Sequence, residues 1–102
     1  MKVPKHPTLV RRMRDARLKR LTPRRVPLGA SLGRQRGGGW HLTIKEDGKT
    51  RTVYVPKELT KEVQASIREH QRLKQLLREI TRLELARIRL HLTEKRRRGT
   101  RR

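Results

Sequence analysis

Few side chains in this sequence could do covalent chemistry. It has no Cys, and apart from the threonines and Tyr54 its hydroxyls are Ser31 and Ser66. A nucleophile of that kind works only with a base in reach and a third group orienting the base. His41 and Tyr54 fall opposite each other in the hairpin derived below and form the one candidate acid–base pair. A polar pair on an open sheet face more commonly touches a phosphate or a base. Paired carboxylates for glycoside or two-metal chemistry are hard to assemble. Asp15 and Asp47 are far apart in the chain, and Asp47 is used by a turn. Glu58, Glu62 and Glu69 share a helix with Lys61, Arg68, Arg72 and Lys74, the composition of an ordinary solvated helix face. His6, His41, His70 and His91 have no partner at helical spacing, and without Cys there is no thiolate zinc site and no disulfide. Gly48-Lys49-Thr50 ends like a phosphate-binding loop but lacks the glycine-rich start. The expectation is a protein that is not an enzyme, with no catalytic residue, no metal and no cofactor.

What remains is cationic chemistry. The 102 residues include 30 Lys or Arg against nine Asp or Glu, a formal net charge of +21. A compact body carrying that charge repels itself and is relieved beside a polyanion. The charge is uneven: residues 1–39 carry a net of +11, residues 40–55 +1, residues 56–94 +3 and residues 95–102 +6. Arg outnumbers Lys in both ends, which suits bidentate phosphate contacts. No run approaches the roughly 18 apolar residues of a membrane span. Two Lys and two Pro in the first ten residues argue against a secretory leader, so a cytoplasmic setting on nucleoid or ribonucleoprotein is expected.

The elements that must position these groups can be read in turn. Asp47-Gly48 suits a two-residue type I′ turn, which needs positive φ at both central positions. Centring Trp40–Val55 on that turn pairs Lys45 with Thr50, Ile44 with Arg51, Thr43 with Thr52, Leu42 with Val53, His41 with Tyr54 and Trp40 with Val55. Trp40, Leu42, Ile44, Val53 and Val55 then share one face, with Arg51 near the tip. The other face holds His41, Thr43, Lys45, Thr50, Thr52 and Tyr54, and a one-residue slip would scatter the apolar set. Trp40 is expected in the core, while Tyr54 could stack on an unpaired base. Pro56 closes the second strand. Leu59, Val63, Ile67, His70, Leu73, Leu77, Ile80 and Leu83 then recur at close to the 3.5-residue coiled-coil period, and no Gly or Pro interrupts residues 57–98. This predicts one helix from about Thr60 to Arg97, roughly 55 Å long, with a bend possible between Leu83 and Arg87 and a stop at Gly99.

Residues Thr8 to about Leu21 suit a short Arg-rich helix, with Pro7 in its first turn, Thr8 as a possible cap and Leu9, Met13, Ala16 and Leu21 as a thin apolar edge. Residues 22–39, with Pro23, Pro27, Gly29, Gly33 and Gly37-Gly38-Gly39, read as a linker without fixed conformation. A six-residue strand spans roughly 20 Å, so the hairpin covers only the first half of the long stripe. The second half needs a partner, either a second copy of the chain or the N-terminal helix folded back.

The run Gly48-Lys49-Thr50-Arg51-Thr52-Val53-Tyr54-Val55-Pro56-Lys57-Glu58-Leu59 resembles a family of short basic bacterial proteins of unassigned function, often encoded beside transposases in mobile elements. Val63, His70, Arg72-Leu73 and Leu76-Leu77-Arg78-Glu79-Ile80 fit the helix that follows, and Ser31-Leu32 fits the family's short segment ahead of the hairpin. The likeness covers about half the chain. Many relatives carry a Cys-rich knot where this chain has Gly33-Arg34-Gln35-Arg36-Gly37-Gly38-Gly39, so any metal-dependent role of that knot is absent here. The resemblance implies the hairpin-to-helix fold and a mobile-element setting, and it implies no activity.

The resulting expectation is an α+β chain: a basic arm over 1–39, a two-stranded hairpin packed on a long helix over 40–94, and a basic tail over 95–102. Its function is read as non-enzymatic binding of DNA or RNA, as an accessory of a mobile-element complex. Alternatives are a structural protein of a ribosome-like particle and a helix-mediated protein adaptor. The phosphate-contacting candidates are Arg11, Arg12, Arg14, Arg17, Lys19, Arg20, Arg24, Arg25, Arg34, Arg36, Lys45, Arg51, Lys95, Arg96, Arg97, Arg98, Arg101 and Arg102, with Tyr54 for a base. Leu73, Leu77, Ile80 and Leu83 are the candidate partner interface, for a homodimer or a larger nucleoprotein complex.

Overall fold

The computed structural model describes residues 1–34 and 36–99; Arg101 and Arg102 lie outside the described residues. The order of elements is α1 (Pro7–Lys19), β1 (Ser31–Arg34), β2 (Trp40–Glu46), β3 (Lys49–Val55), a single 3₁₀ turn (Lys57–Leu59) and α2 (Thr60–Gly99). The chain divides into two compact units, Pro23–Leu73 and Met1–Thr22 with the chain from Lys74 onward. Residues of α2 contribute to both. α2 runs unbroken through Leu83–Arg87, and Gly99 is still helical. Among the described residues no helix is long and apolar enough to cross a membrane.

The Pro23–Leu73 unit holds the sheet. β2 and β3 pair antiparallel in the register the turn dictates, with Trp40 opposite Val55, His41 opposite Tyr54 and Lys45 opposite Thr50. Asp47 at φ 51° and Gly48 at φ 77° supply the positive angles of the turn. The sheet has three strands, not the two expected, in the order β1-β2-β3. Ser31 pairs with Thr43, Leu32 with Leu42, Gly33 with His41 and Arg34 with Trp40. β1 is four residues long, contains a glycine and has no apolar alternation, so backbone pairing along β2 makes the strand rather than side-chain pattern. Gly37 and Gly38 take positive φ in the connection to β2.

Leu42 and Val55 are buried on the apolar face, and Trp40 and Ile44 are half-buried. Val53, expected beside them, is exposed, as is Leu59. β3 is an edge strand on which only Val55, next to the 3₁₀ turn that leads into α2, is buried. The segment ahead of β1, read as a linker without fixed conformation, is tied to α2. The Leu28 N–H donates to the Ser66 carbonyl at 3.0 Å, and the Ala30 N–H donates back to the Leu28 carbonyl at 3.1 Å, a γ-turn about Gly29. Gly29 lies against the His70 ring, where an added Cβ would come 3.0 Å from Nε2.

The other unit is a helix pair. α1 begins at Pro7 with His6 as its N-cap; no side-chain hydrogen bond caps it, so Thr8 is inside the helix and does not cap it. Arg14 binds Glu84 and Arg17 binds Glu79, so α1 runs antiparallel to this part of α2. Val10 and Leu83 are fully buried and Leu76 nearly so. The inner face of α1 is thus Val10, Met13, Arg14 and Arg17, not the expected edge through Leu9 and Ala16, both exposed. Reading apolar residues alone gives the wrong phase, because two arginines turn inward to meet glutamates.

Candidate nucleic-acid interface

The acidic groups decide which cations are left facing solvent. Glu69 is 5% exposed and accepts a bidentate fork from Arg72, Nε to Oε1 at 2.7 Å and Nη2 to Oε2 at 3.0 Å. Its Oε2 also accepts the Arg24 backbone N–H at 2.5 Å. The Arg72 fork, with the Arg24 N–H, holds the carboxyl at about 2 against the opposing effect of burial. Glu69 is therefore a buried anchor for the chain at Arg24, where a solvated helix face was expected. Local charge spacing shows the Arg72 pair but not the distant N–H that makes the site.

In the helix pair, Glu84 accepts from Arg87 Nε at 2.8 Å and from Arg14 Nη1 at 2.8 Å. Arg87 and then Arg14 hold its carboxyl at about 2. Arg14 also binds Asp15 Oδ1 at 3.1 Å, and its own pKa is raised, most by Glu84. Arg17 reaches Glu79 Oε1 at 3.4 Å and the Met13 carbonyl at 3.3 Å, while its buried Nε has no hydrogen-bond partner among the described residues. Arg14 and Arg17, expected among the phosphate contacts, are thus half-buried and committed to carboxylates inside the chain.

Among the described residues the other predicted cations are exposed. On α1 these are Arg11, Arg12 and Lys19, with Arg20 at its C-cap, and on the last turns of α2 Lys95, Arg96, Arg97 and Arg98. Helical spacing puts Arg12 and Lys19 on the side of α1 opposite Val10 and Arg11 on its flank. In the sheet-bearing unit Arg24, Arg25, Arg34, Arg36, Lys45 and Arg51 are exposed. The Arg51–Glu46 pair at 3.4 Å is too solvated to hold either group firmly. The Arg34 guanidinium lies over the Trp40 ring at 5.8 Å from its centroid, a cation–π contact. Tyr54 is 67% exposed on the open face, beside His41 on β2 and Gly33 on β1.

The predicted partner stripe does not survive as drawn. Leu83 is fully buried within the chain, Leu73 and Ile80 are half-buried, and only Leu77 is exposed. The exposed apolar side chains of α2 beyond residue 73 are Leu77, Leu85, Ile88 and Leu92, which helical spacing gathers on one face together with Thr81. The Leu73–Leu83 pattern misses this face because α1 takes up the phase of Leu76 and Leu83.

The Pro23–Leu73 unit also holds a concave feature that the sequence pattern does not announce. A groove of about 410 Å³ opens beside β1, lined by Ala30, Ser31, Leu32, Trp40, Gln64, Ile67, Arg68 and Gln71. Gln64, Ile67, Arg68 and Gln71 stand at i, i+3, i+4 and i+7 on α2. Apolar periodicity finds Ile67, but the polarity of Gln64, Arg68 and Gln71 hides the face they share with it. Among the described residues no three His, Asp or Glu side chains gather where they could hold a metal ion. Compared with family models, curated proteins and solved structures, the chain matches none.

Proposed function

We propose that this protein binds nucleic acid without catalysis, mainly through phosphates. One observation carries the reading: Glu69, Glu79 and Glu84 pair inward, while most of the far more numerous cations face out. Asp15, Glu69, Glu79 and Glu84 are engaged by Arg14, Arg17, Arg72 and Arg87, which leaves Arg11, Arg12, Arg25, Arg36 and the basic end of α2 on the surface of a chain of net charge +21. Exposed cations of one sign release counterions on meeting a phosphate backbone, a sequence-independent gain in affinity. The mobile-element resemblance supports a DNA or RNA of such an element as the polymer.

The test is the salt dependence of affinity for a labelled oligonucleotide, followed by fluorescence anisotropy. A linear fall of log K against log salt, with a slope reflecting roughly 6–10 phosphate contacts, is expected. The pair Arg11→Gln and Arg12→Gln lowers the slope by about two. Affinity independent of salt overturns the reading. A second reading, docking of a partner protein's apolar helix, is favoured by the exposed Leu77, Leu85, Ile88 and Leu92 on one face of α2. Leu85→Glu removes that docking and leaves nucleic-acid binding intact.

A further inference from the structure

We propose that the groove beside β1 is a seat for one unpaired nucleobase of a single-stranded nucleic acid. The inference rests on the nucleic-acid reading above and deepens it. The groove, at about 410 Å³, falls in the range of roughly 300–1,000 Å³ typical of small-molecule sites. It is far too small for a duplex and large enough for an extruded nucleotide. Its apolar walls are Leu32, Ile67 and the Trp40 indole. A base is a flat, apolar-faced ring with hydrogen-bonding edges, and an aromatic wall is the common surface for its face.

The polar residues fit the rest of a nucleotide. Gln64 and Gln71 lie two helical turns apart and each offers both an amide donor and a carbonyl acceptor, the combination that reads base edges. Arg68 is exposed between them, where it can meet the phosphate, and Arg34 holds the indole from its own strand. No acidic side chain lines the groove. An apolar peptide would leave the two amides and the guanidinium without matching groups, so the lining favours a base over a peptide.

Trp40 is the single tryptophan of the chain, so its fluorescence reports on this groove alone. The full chain is titrated with short oligouridylate and oligoadenylate, and in parallel with a blunt duplex and inorganic polyphosphate. Anisotropy of the labelled polymers, or competition for polyphosphate, measures binding independently. The single strands are expected to quench or shift Trp40 emission, whereas duplex and polyphosphate bind without doing so. Gln64→Ala with Gln71→Ala is expected to weaken single-strand binding about tenfold and leave duplex binding unchanged. Alanine suits a helix, and an unchanged melting curve verifies the fold of the variant. Single-strand binding with silent Trp40, equal quenching by polyphosphate, or an undiminished double variant overturns the groove and leaves phosphate binding standing. Loss of the single-strand preference in Tyr54→Ala but not in the double variant also overturns it, moving the base to the open sheet face. Failure of every polymer to bind overturns the broader reading as well.

Discussion

Each of the two units contains a glutamate gripped by the arginine three residues further along α2, Glu69 by Arg72 and Glu84 by Arg87, yet the two sites hold different things. Glu69 is 5% exposed and its third ligand is the backbone N–H of Arg24. Glu84 is 32% exposed and its third ligand is the side chain of Arg14. A backbone donor is fixed by the path of the chain, so the carboxylate that binds it fixes that path in return. A long side chain can find another conformation, and water reaches this half-buried pair more readily than the buried Glu69. The same local motif is thus an anchor in one unit and an adjustable clasp in the other, decided by what arrives from far along the sequence.

The largest expected effect tests whether the helix pair depends on its apolar contact and not on the clasp. Leu83→Ala should cost about 2–5 kcal/mol. Hydrogen exchange should show it as lost protection across Pro7–Lys19, with β2 and β3 still protected. Next comes the anchor. Glu69→Gln leaves Arg72 without its counter-charge and Arg24 with a weaker acceptor. Limited trypsin digestion should then cut after Arg24 or Arg25 several-fold faster than in the parent chain, with a lowered Tm. The sheet offers an internal control: Val55→Ala should cost about 2 kcal/mol. The exposed Val53→Ala, on the same strand and of the same parity, should stay within about 0.5 kcal/mol in denaturant melts.

Acid should act on both carboxylates. Each sits at about 2 in the folded chain, below its ordinary 4.5, so between those values the unfolded chain binds more protons. Their contribution is complete above about pH 4.5 and is lost as pH falls towards 2. Urea melts across that window should show the decline, and Glu69→Gln should flatten its part of it. A smaller effect is expected for Glu84→Gln, which should lower the Tm less than Glu69→Gln does and leave the tryptic pattern at Arg24 unaltered. An equal loss from both glutamates would erase the distinction between anchor and clasp.

Local signals in the sequence were enough for the hairpin and the long helix. Asp47-Gly48 fixes a turn, the turn fixes the register, and the register collects Trp40, Leu42, Ile44 and Val55 on one face. The uninterrupted run after Leu59 is equally local. The features that escaped depend on distant partners. β1 exists because β2 offers it a ladder, and its own four residues announce nothing. Glu69 looks solvated until the chain at Arg24 covers it, and Arg14 looks like a surface cation until Glu84 is opposite. The candidate cations were legible by type, but which of them turn inward follows from tertiary pairing alone. The groove escaped because Gln64, Arg68 and Gln71 share a face by spacing and not by polarity.

The γ-turn at Gly29 carries a consequence for what substitutions this chain can accept. With His70 Nε2 3.0 Å from where a Cβ would stand, even alanine at 29 requires the imidazole to give way by a few tenths of an ångström, and larger side chains require more, beside the link from Leu28 to Ser66. Gly33 on the short strand has open space around it and no positive φ, so alanine fits there without disturbance. In a saturation library selected for folding, position 29 should favour glycine, with alanine next, while position 33, only four residues along, drifts. Two glycines that read alike as linker residues are, in heredity, a constrained point and a free one.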